Sequence, residues 1–203
     1  TAACRPPVME SWLVGGSGAT GAADLVVLTN PGTVAATVQL TVYGAQDEQR
    51  PPGGADVIVP AGSQRVIPLA GVALGEPSPV VRVTAAGAPV AATLQTSITR
   101  TLTPGGVDLV GAITVPTNSV VIPAVVITES AAAAAVQDAT TVLRMLAPTS
   151  AGTATVTVTR FDGVEPASEP VTVPLTKGIP AEVDLAGLAA GTYTVRVSAD
   201  VPL

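Results

Sequence analysis

Chemistry in this sequence would have to come from a few loops. Gly16-Ser17-Gly18-Ala19-Thr20-Gly21 matches G-x-G-x-x-G and follows a plausible strand. A dinucleotide site at such a loop needs a helix behind it, whose N-terminus faces the pyrophosphate. Here Leu25-Val26-Val27-Leu28 follows, which reads as a strand, and no acidic residue lies between Thr33 and Ala45 to take a ribose hydroxyl. The one lysine of the chain, Lys177, is far away, so a phosphate loop of Walker type fails as well. The glycine run reads as a flexible loop.

Carboxylates offer acid–base or metal chemistry only where they cluster. Asp47-Glu48 sits in a polar hairpin loop beside Arg50, and Asp162, Glu165 and Glu169 sit in the corresponding loop further on. Neither group has the D-x-[DN]-x-[DN]-G spacing of a calcium loop, so solvation is the default reading. The chain has no histidine, which removes the commonest general base and the commonest zinc ligand. Serines and threonines are plentiful, but nothing singles out one beside Lys177. The expectation is therefore no catalytic residue, no metal and no cofactor. For binding, the candidates are Trp12, beside the glycine run, and the loop arginines Arg50 and Arg65, which together would suit a polysaccharide. The plainer reading of Trp12 is a core residue packed under the first sheet, because Leu13 and Val14 beside it are apolar.

Whatever these residues do, strands must hold them. Apolar residues make up 47% of the 203, yet only Trp12, Tyr43, Phe161 and Tyr193 are aromatic. Such a core of Val, Leu and Ala suits flat, closely spaced sheets better than deep pockets. With 20 glycines and 19 prolines, a break falls about every five residues, which rules against long helices. Runs such as Thr37 to Tyr43, Val80 to Thr84, Ala91 to Ile98, Thr155 to Thr159 and Thr192 to Val197 alternate apolar with Thr, Gln or Arg. That period of two marks a sheet with one wet face. Turn signals such as Asn30-Pro31-Gly32 and Pro104-Gly105-Gly106 separate the runs. The only helix candidate is short, Ser130 to Val136.

The net charge is −6 with scattered arginines, which is neither a nucleic-acid footprint nor a basic cluster for anionic lipid. No apolar run reaches the ~18 residues that span a bilayer. Cys4 is the only cysteine, so no internal disulfide forms; it reads as a free or externally paired thiol, with a lipid anchor as the minor alternative. The chain starts at Thr1 without Met, which reads as a processed or cut product.

The most informative feature is an internal repeat. Ala36-Thr37-Val38…Tyr43 recurs as Ala154-Thr155-Val156…Phe161 at an offset of 118, and Leu25 and Leu28 fall on Leu143 and Leu146. Val59-Pro60 recurs as Val173-Pro174, Leu69-Ala70-Gly71 as Leu185-Ala186-Gly187, and Val81-Arg82-Val83 as Val195-Arg196-Val197. Five matches in one order argue for duplication. Before the last of these stands Leu188-x-x-Gly191-x-Tyr193, which resembles the tyrosine corner of immunoglobulin-like and fibronectin-like sandwiches. The expected fold is thus all-β: two tandem immunoglobulin-like or fibronectin-like β-sandwich domains over 1–103 and 119–203, with 104–118 connecting them. The second copy stops at Leu203, where its last strand should begin.

Taken in order, Glu10-Ser11-Trp12-Leu13-Val14-Gly15-Gly16, Leu28-Thr29-Asn30-Pro31-Gly32, Val90 to Gln95, Pro104 to Asp108, Val121-Ile122-Pro123 and Thr192 to Val197 carry a further likeness. This order resembles a family of large exported actinobacterial proteins classed as a domain of unknown function. The resemblance implies an extracytoplasmic setting at the cell envelope and brings no site residues. The leading expectation is a non-enzymatic scaffold or protein-interaction module whose partner is an envelope protein. The alternatives are an envelope polysaccharide-binding module and an accessory domain of a larger exported enzyme.

Overall fold

A computed structural model of the chain describes residues 5–100, 103–128, 141–161, 163, 166–185 and 187–203. Cys4, the helix candidate Ser130 to Val136, and Asp162 and Glu165 lie outside the described residues. The chain is all-β with several antiparallel sheets, and it divides into two compact units, Thr1–Val115 and Pro116–Leu203.

Among the described residues unit 1 holds nine strands: β1 (Glu10–Val14), β2 (Leu25–Asn30), β3 (Ala36–Gly44), β4 (Asp47–Gln49), β5 (Val57–Val59), β6 (Ser63–Pro68), β7 (Val80–Ala86), β8 (Ala91–Arg100) and β9 (Thr103–Gly111). They form one sheet in the order β1-β7-β3-β4, with β5 also on β3, and a second in the order β6-β2-β8-β9. The longer strands give alternate side chains to a shared core: Leu13, Val38, Leu40, Val81 and Val83 from the first sheet, Val26, Leu28, Ala92 and Leu94 from the second. The turn after β2 is built by Asn30, fully buried. Its Nδ2 donates to the carbonyls of Val34 and Val59, and its Oδ1 accepts from Gly32 N at 3.0 Å.

Three sequence expectations change here. Residues 104–111, expected in a connecting segment, continue unit 1 as β9 on β8, with Ser97 opposite Val107. Pro104-Gly105-Gly106 reads as a break. It is instead absorbed by a register shift between Ile98 and Thr99 and by Gly106 at φ +115°. Asp47-Glu48 belongs to a short strand, β4, rather than a loop. The glycine run is tied down rather than loose. Asp24, buried, accepts from Ser17 N and from Ser97 N, each at 2.7 Å. Gly18 N donates to Glu76 O at 2.8 Å and Gly75 N to Gly18 O at 3.0 Å. A Cβ on Gly18 would run into the Ala73 carbonyl. Close backbone approach is the reason for glycine there.

Unit 2 holds β10 (Ser119–Ile127), β11 (Val142–Met145), β12 (Gly152–Arg160), β13 (Val171–Leu175), β14 (Ala181–Asp184) and β15 (Gly191–Ala199). Its larger sheet runs β10-β15-β12-β13, the order of β1, β7, β3 and β5, and β11 pairs with β14 as β2 does with β6. With Arg82 matched to Arg196, the ladders set Thr41 against Thr157, two residues away from the sequence offset. Burial likewise matches Val26 and Leu28 to Leu143 and Met145, one residue away. A slip of two keeps each side chain on its face, whereas a slip of one reverses it. Sequence similarity alone is blind to that difference. Tyr193, buried, donates its hydroxyl to Ala189 O at 2.7 Å, the hydrogen bond a tyrosine corner requires.

Two stability predictions follow from these contacts. Gly18→Ala should cost unit 1 about 1–3 kcal/mol in urea unfolding, whereas Gly71→Ala, with open space around it, should stay within about 0.5 kcal/mol. Tyr193→Phe should cost unit 2 about 1 kcal/mol; an unchanged urea midpoint would remove the corner from the account of that unit's stability.

Candidate functional site

Alternation along β1 sends Ser11 and Leu13 toward the core of unit 1, so Glu10, Trp12 and Val14 take the reverse face. Cross-strand register then decides their neighbours. Trp12 lies opposite Arg82 on β7, Arg82 opposite Thr41 on β3, and Tyr43 opposite Glu48 on β4. Glu10, Trp12, Arg82, Tyr43 and Glu48 consequently share one sheet face, with Arg50 just past the end of β4.

They contact each other in sequence. Arg82 Nη2 meets Glu10 Oε2 at 2.8 Å, and its guanidinium carbon stands 5.3 Å from the Trp12 ring centre. The Trp12 and Tyr43 rings are 5.5 Å apart and tilted by 35°. Tyr43 donates its hydroxyl to Glu48 Oε2 at 3.2 Å, and Arg50 closes the row through Nε and Nη2 on Glu48 Oε1. Trp12 is only 6% exposed, and both its Nε1 and the Nε of Arg82 are buried without a hydrogen-bond partner.

The electrostatics of the row favour holding over reacting. Burial pushes the Tyr43 hydroxyl above its ordinary value, and the negative charge of Glu48 adds to this against the opposing pull of Arg82. The hydrogen bond to Glu10 raises Arg82 further, against the cost of its burial. A phenol that keeps its proton and a fixed cation are not a nucleophile and its base. Among the described residues no group of three His, Cys, Asp or Glu is placed to hold a metal ion.

Trp12 is buried, but on the face opposite the main core; of the two apolar neighbours that suggested a core position, Leu13 belongs to the other side of the strand and Val14 shares the face of Trp12. Arg50 joins Trp12 through Glu48 and Tyr43. Arg65 does not: it stands on β6 of the second sheet, opposite Leu28, and donates to Ile58 O at 3.2 Å. Glu10, Tyr43 and Arg82 went unrecognised as one group because pairing register, absent from the sequence, brings them together. The only signal was the alternation of Glu10 with Trp12 and of Thr41 with Tyr43. At the position matching Trp12, unit 2 has Val121 opposite an exposed Arg196. The row belongs to unit 1 alone.

Residues 1–203 match a family described as "Family of unknown function (DUF5719)". No curated protein matches the chain. Among solved structures it is similar to one described as "Crystal Structure of Thermotoga maritima 1070", at 12% identity and a TM-score of 0.43, over 53% of this chain and 95% of that one.

The raised value of Tyr43 gives a pH prediction with a definite sign. The folded protein holds this proton more tightly than the unfolded chain, so the associated stability is fully present below about pH 10 and lost as pH rises through the folded value. Tyr43→Phe should therefore lose less stability than the native protein between about pH 8 and about pH 11. Urea midpoints at the two pH values check this; parallel losses would mean that Tyr43 titrates as it does in the unfolded chain.

Proposed function

This chain belongs to the family of unknown function DUF5719, and we propose that it is a non-enzymatic scaffold or protein-interaction module of the cell envelope, working outside the cytoplasm. In this reading the two units are tandem immunoglobulin-like sandwiches, and edges of their sheets do the binding. The observation that carries it lies at the sheet ends. Strand β9 closes one sheet of unit 1 and leaves Val107 and Leu109 exposed, while β10 closes a sheet of unit 2 and leaves Val121 and Val126 exposed. Apolar side chains on end strands invite another strand, and proteins ordinarily blunt such edges with lysine or charge. Here β10 carries no charged residue and β9 only Asp108, while Pro123 and Pro104 with their register shifts interrupt one stretch of each strand. An extended partner segment would gain main-chain hydrogen bonds and a cover for these side chains.

The polysaccharide alternative needs an accessible aromatic platform, and Trp12 is enclosed in its row between Arg82 and Tyr43. Binding by the Trp12 face would therefore first require that row to open.

Two measurements test this reading. Trp12 emission should be blue-shifted and unresponsive to cell-wall glycans; saturable quenching would favour the polysaccharide reading instead. The purified chain should turn over no general ester, glycoside or peptide substrate, and turnover that co-elutes with it would end the proposal.

A further inference from the structure

Two stretches of backbone change sheets side by side in unit 1. Val8 exchanges both backbone hydrogen bonds with Val90, just before β8, at 3.0 Å each, and Glu10 then lies opposite Thr84 in the first sheet. Gly111 lies opposite Thr93 in the second sheet, and Ile113 then exchanges both hydrogen bonds with Trp12 in the first. Backbone that crosses between sheets cannot fill the space beside it with a pleated row of side chains. Both crossings also use small residues, Ser11 beside the first and Gly111 and Ala112 in the second, and a cavity of about 330 Å³ opens against all three.

Two polar groups of this cavity lack a partner. Ser11 is 2% exposed, and its hydroxyl has no hydrogen-bond partner. A buried hydroxyl left so carries a desolvation cost that a bound polar group removes. Arg5 is exposed, with its Nε 3.8 Å from the point where Gly111 would carry a Cβ, and among the described residues it forms no ion pair. Burial thus sets the hydroxyl at the depth of the cavity, and exposure sets the guanidinium at its mouth. Val8, Val90 and Leu109 add apolar wall, and no residue lining the cavity is acidic.

We infer that this cavity binds a small aliphatic carboxylate bearing one further polar group. Arg5 holds the carboxylate at the mouth, the aliphatic body lies on Val8, Val90 and Leu109, and the Ser11 hydroxyl meets the second polar group. A free hydroxy acid has this chemistry, and so has the last residue of a polypeptide, whose peptide group is the second polar group. The planar fork of an arginine matches a carboxylate with two parallel hydrogen bonds. A phosphate ester carries close to two charges at neutral pH, and Arg5 is the only cation lining the cavity. The volume stands near the lower end for ligand cavities, which limits the body to a few carbon atoms.

The test titrates the intact chain with 3-hydroxybutanoate and with N-acetyl-Ala-Ala-Val, each beside its neutral amide, and follows the backbone amide shifts of Ser11, Val90 and Gly111. At least one acid should shift them saturably with a Kd of about 1 mM or tighter, and its amide should bind about tenfold more weakly. The acid that binds more tightly identifies the source of the carboxylate. Arg5→Gln should weaken binding about tenfold and Ser11→Ala about threefold, while Arg65→Gln, outside the cavity, should leave it unchanged. Ser11→Ala should not lower the urea midpoint, because the hydroxyl it removes has no partner in the fold. A loss of binding without a loss of stability therefore belongs to the ligand. The inference is overturned if neither acid gives a saturable shift up to about 20 mM, or if the amides bind as tightly as the acids. It is overturned equally if either cavity variant binds as the native chain does, or if chloride or inorganic phosphate produces the same shifts at the same concentration.

Discussion

A strand can give only every second side chain to a core, and that constraint organises both units. With few aromatic residues, the sheets must close on Val, Leu and Ala, whose side chains fill a thin layer and leave little room for error in register. Both units meet the constraint with one sheet of matching order, β1-β7-β3-β5 and β10-β15-β12-β13, and in unit 1 two buried polar side chains set the turns. Asn30, buried and satisfied by three backbone partners, fixes the turn after β2. Asp24 does the same for the glycine run, whose backbone passes too close to Ala73 for any side chain at Gly18.

The reverse face of a sheet is free of that demand, and here the units part company. Unit 1 fills it with the row from Glu10 to Arg50, in which an arginine lies over a tryptophan and a tyrosine leans on a glutamate. Unit 2 keeps the arginine, as Arg196, but places Val121 beside it. Unit 2 spends its buried tyrosine elsewhere, on the corner hydrogen bond of Tyr193. Two sheets of matching strand order therefore carry two different devices, and the order explains neither of them.

The cores part company as well. Leu13 and Ile122 occupy the same rung of the same ladder, and only the first is covered. A core of this thinness has no second layer behind it. Among the described residues the strand that covers Leu13 has no counterpart beside Ile122, and that difference reaches directly to a core-facing side chain.

Much of the architecture was legible in the residues. Alternation in Thr37 to Tyr43 and Thr192 to Val197 marks strands because a pleated backbone turns successive side chains to opposite faces. The Tyr193 corner is legible because its hydrogen bond is local, within four residues, and so is the Asn30 turn in its bonds with Val34 and Gly32; the bond from Asn30 to Val59 O, 29 positions on, is not. That a strand follows the glycine run is legible in Leu25 to Leu28. The face taken by Trp12, the strand made from Pro104-Gly105-Gly106, the exact match between the repeats and the meeting of Glu10, Trp12, Arg82 and Tyr43 were not. Each depends on which residue stands opposite which across strands separated by up to some seventy positions. Local residue types decide that a strand forms; only the packing of one strand against another, summed over the whole sheet, decides its register and hence its neighbours.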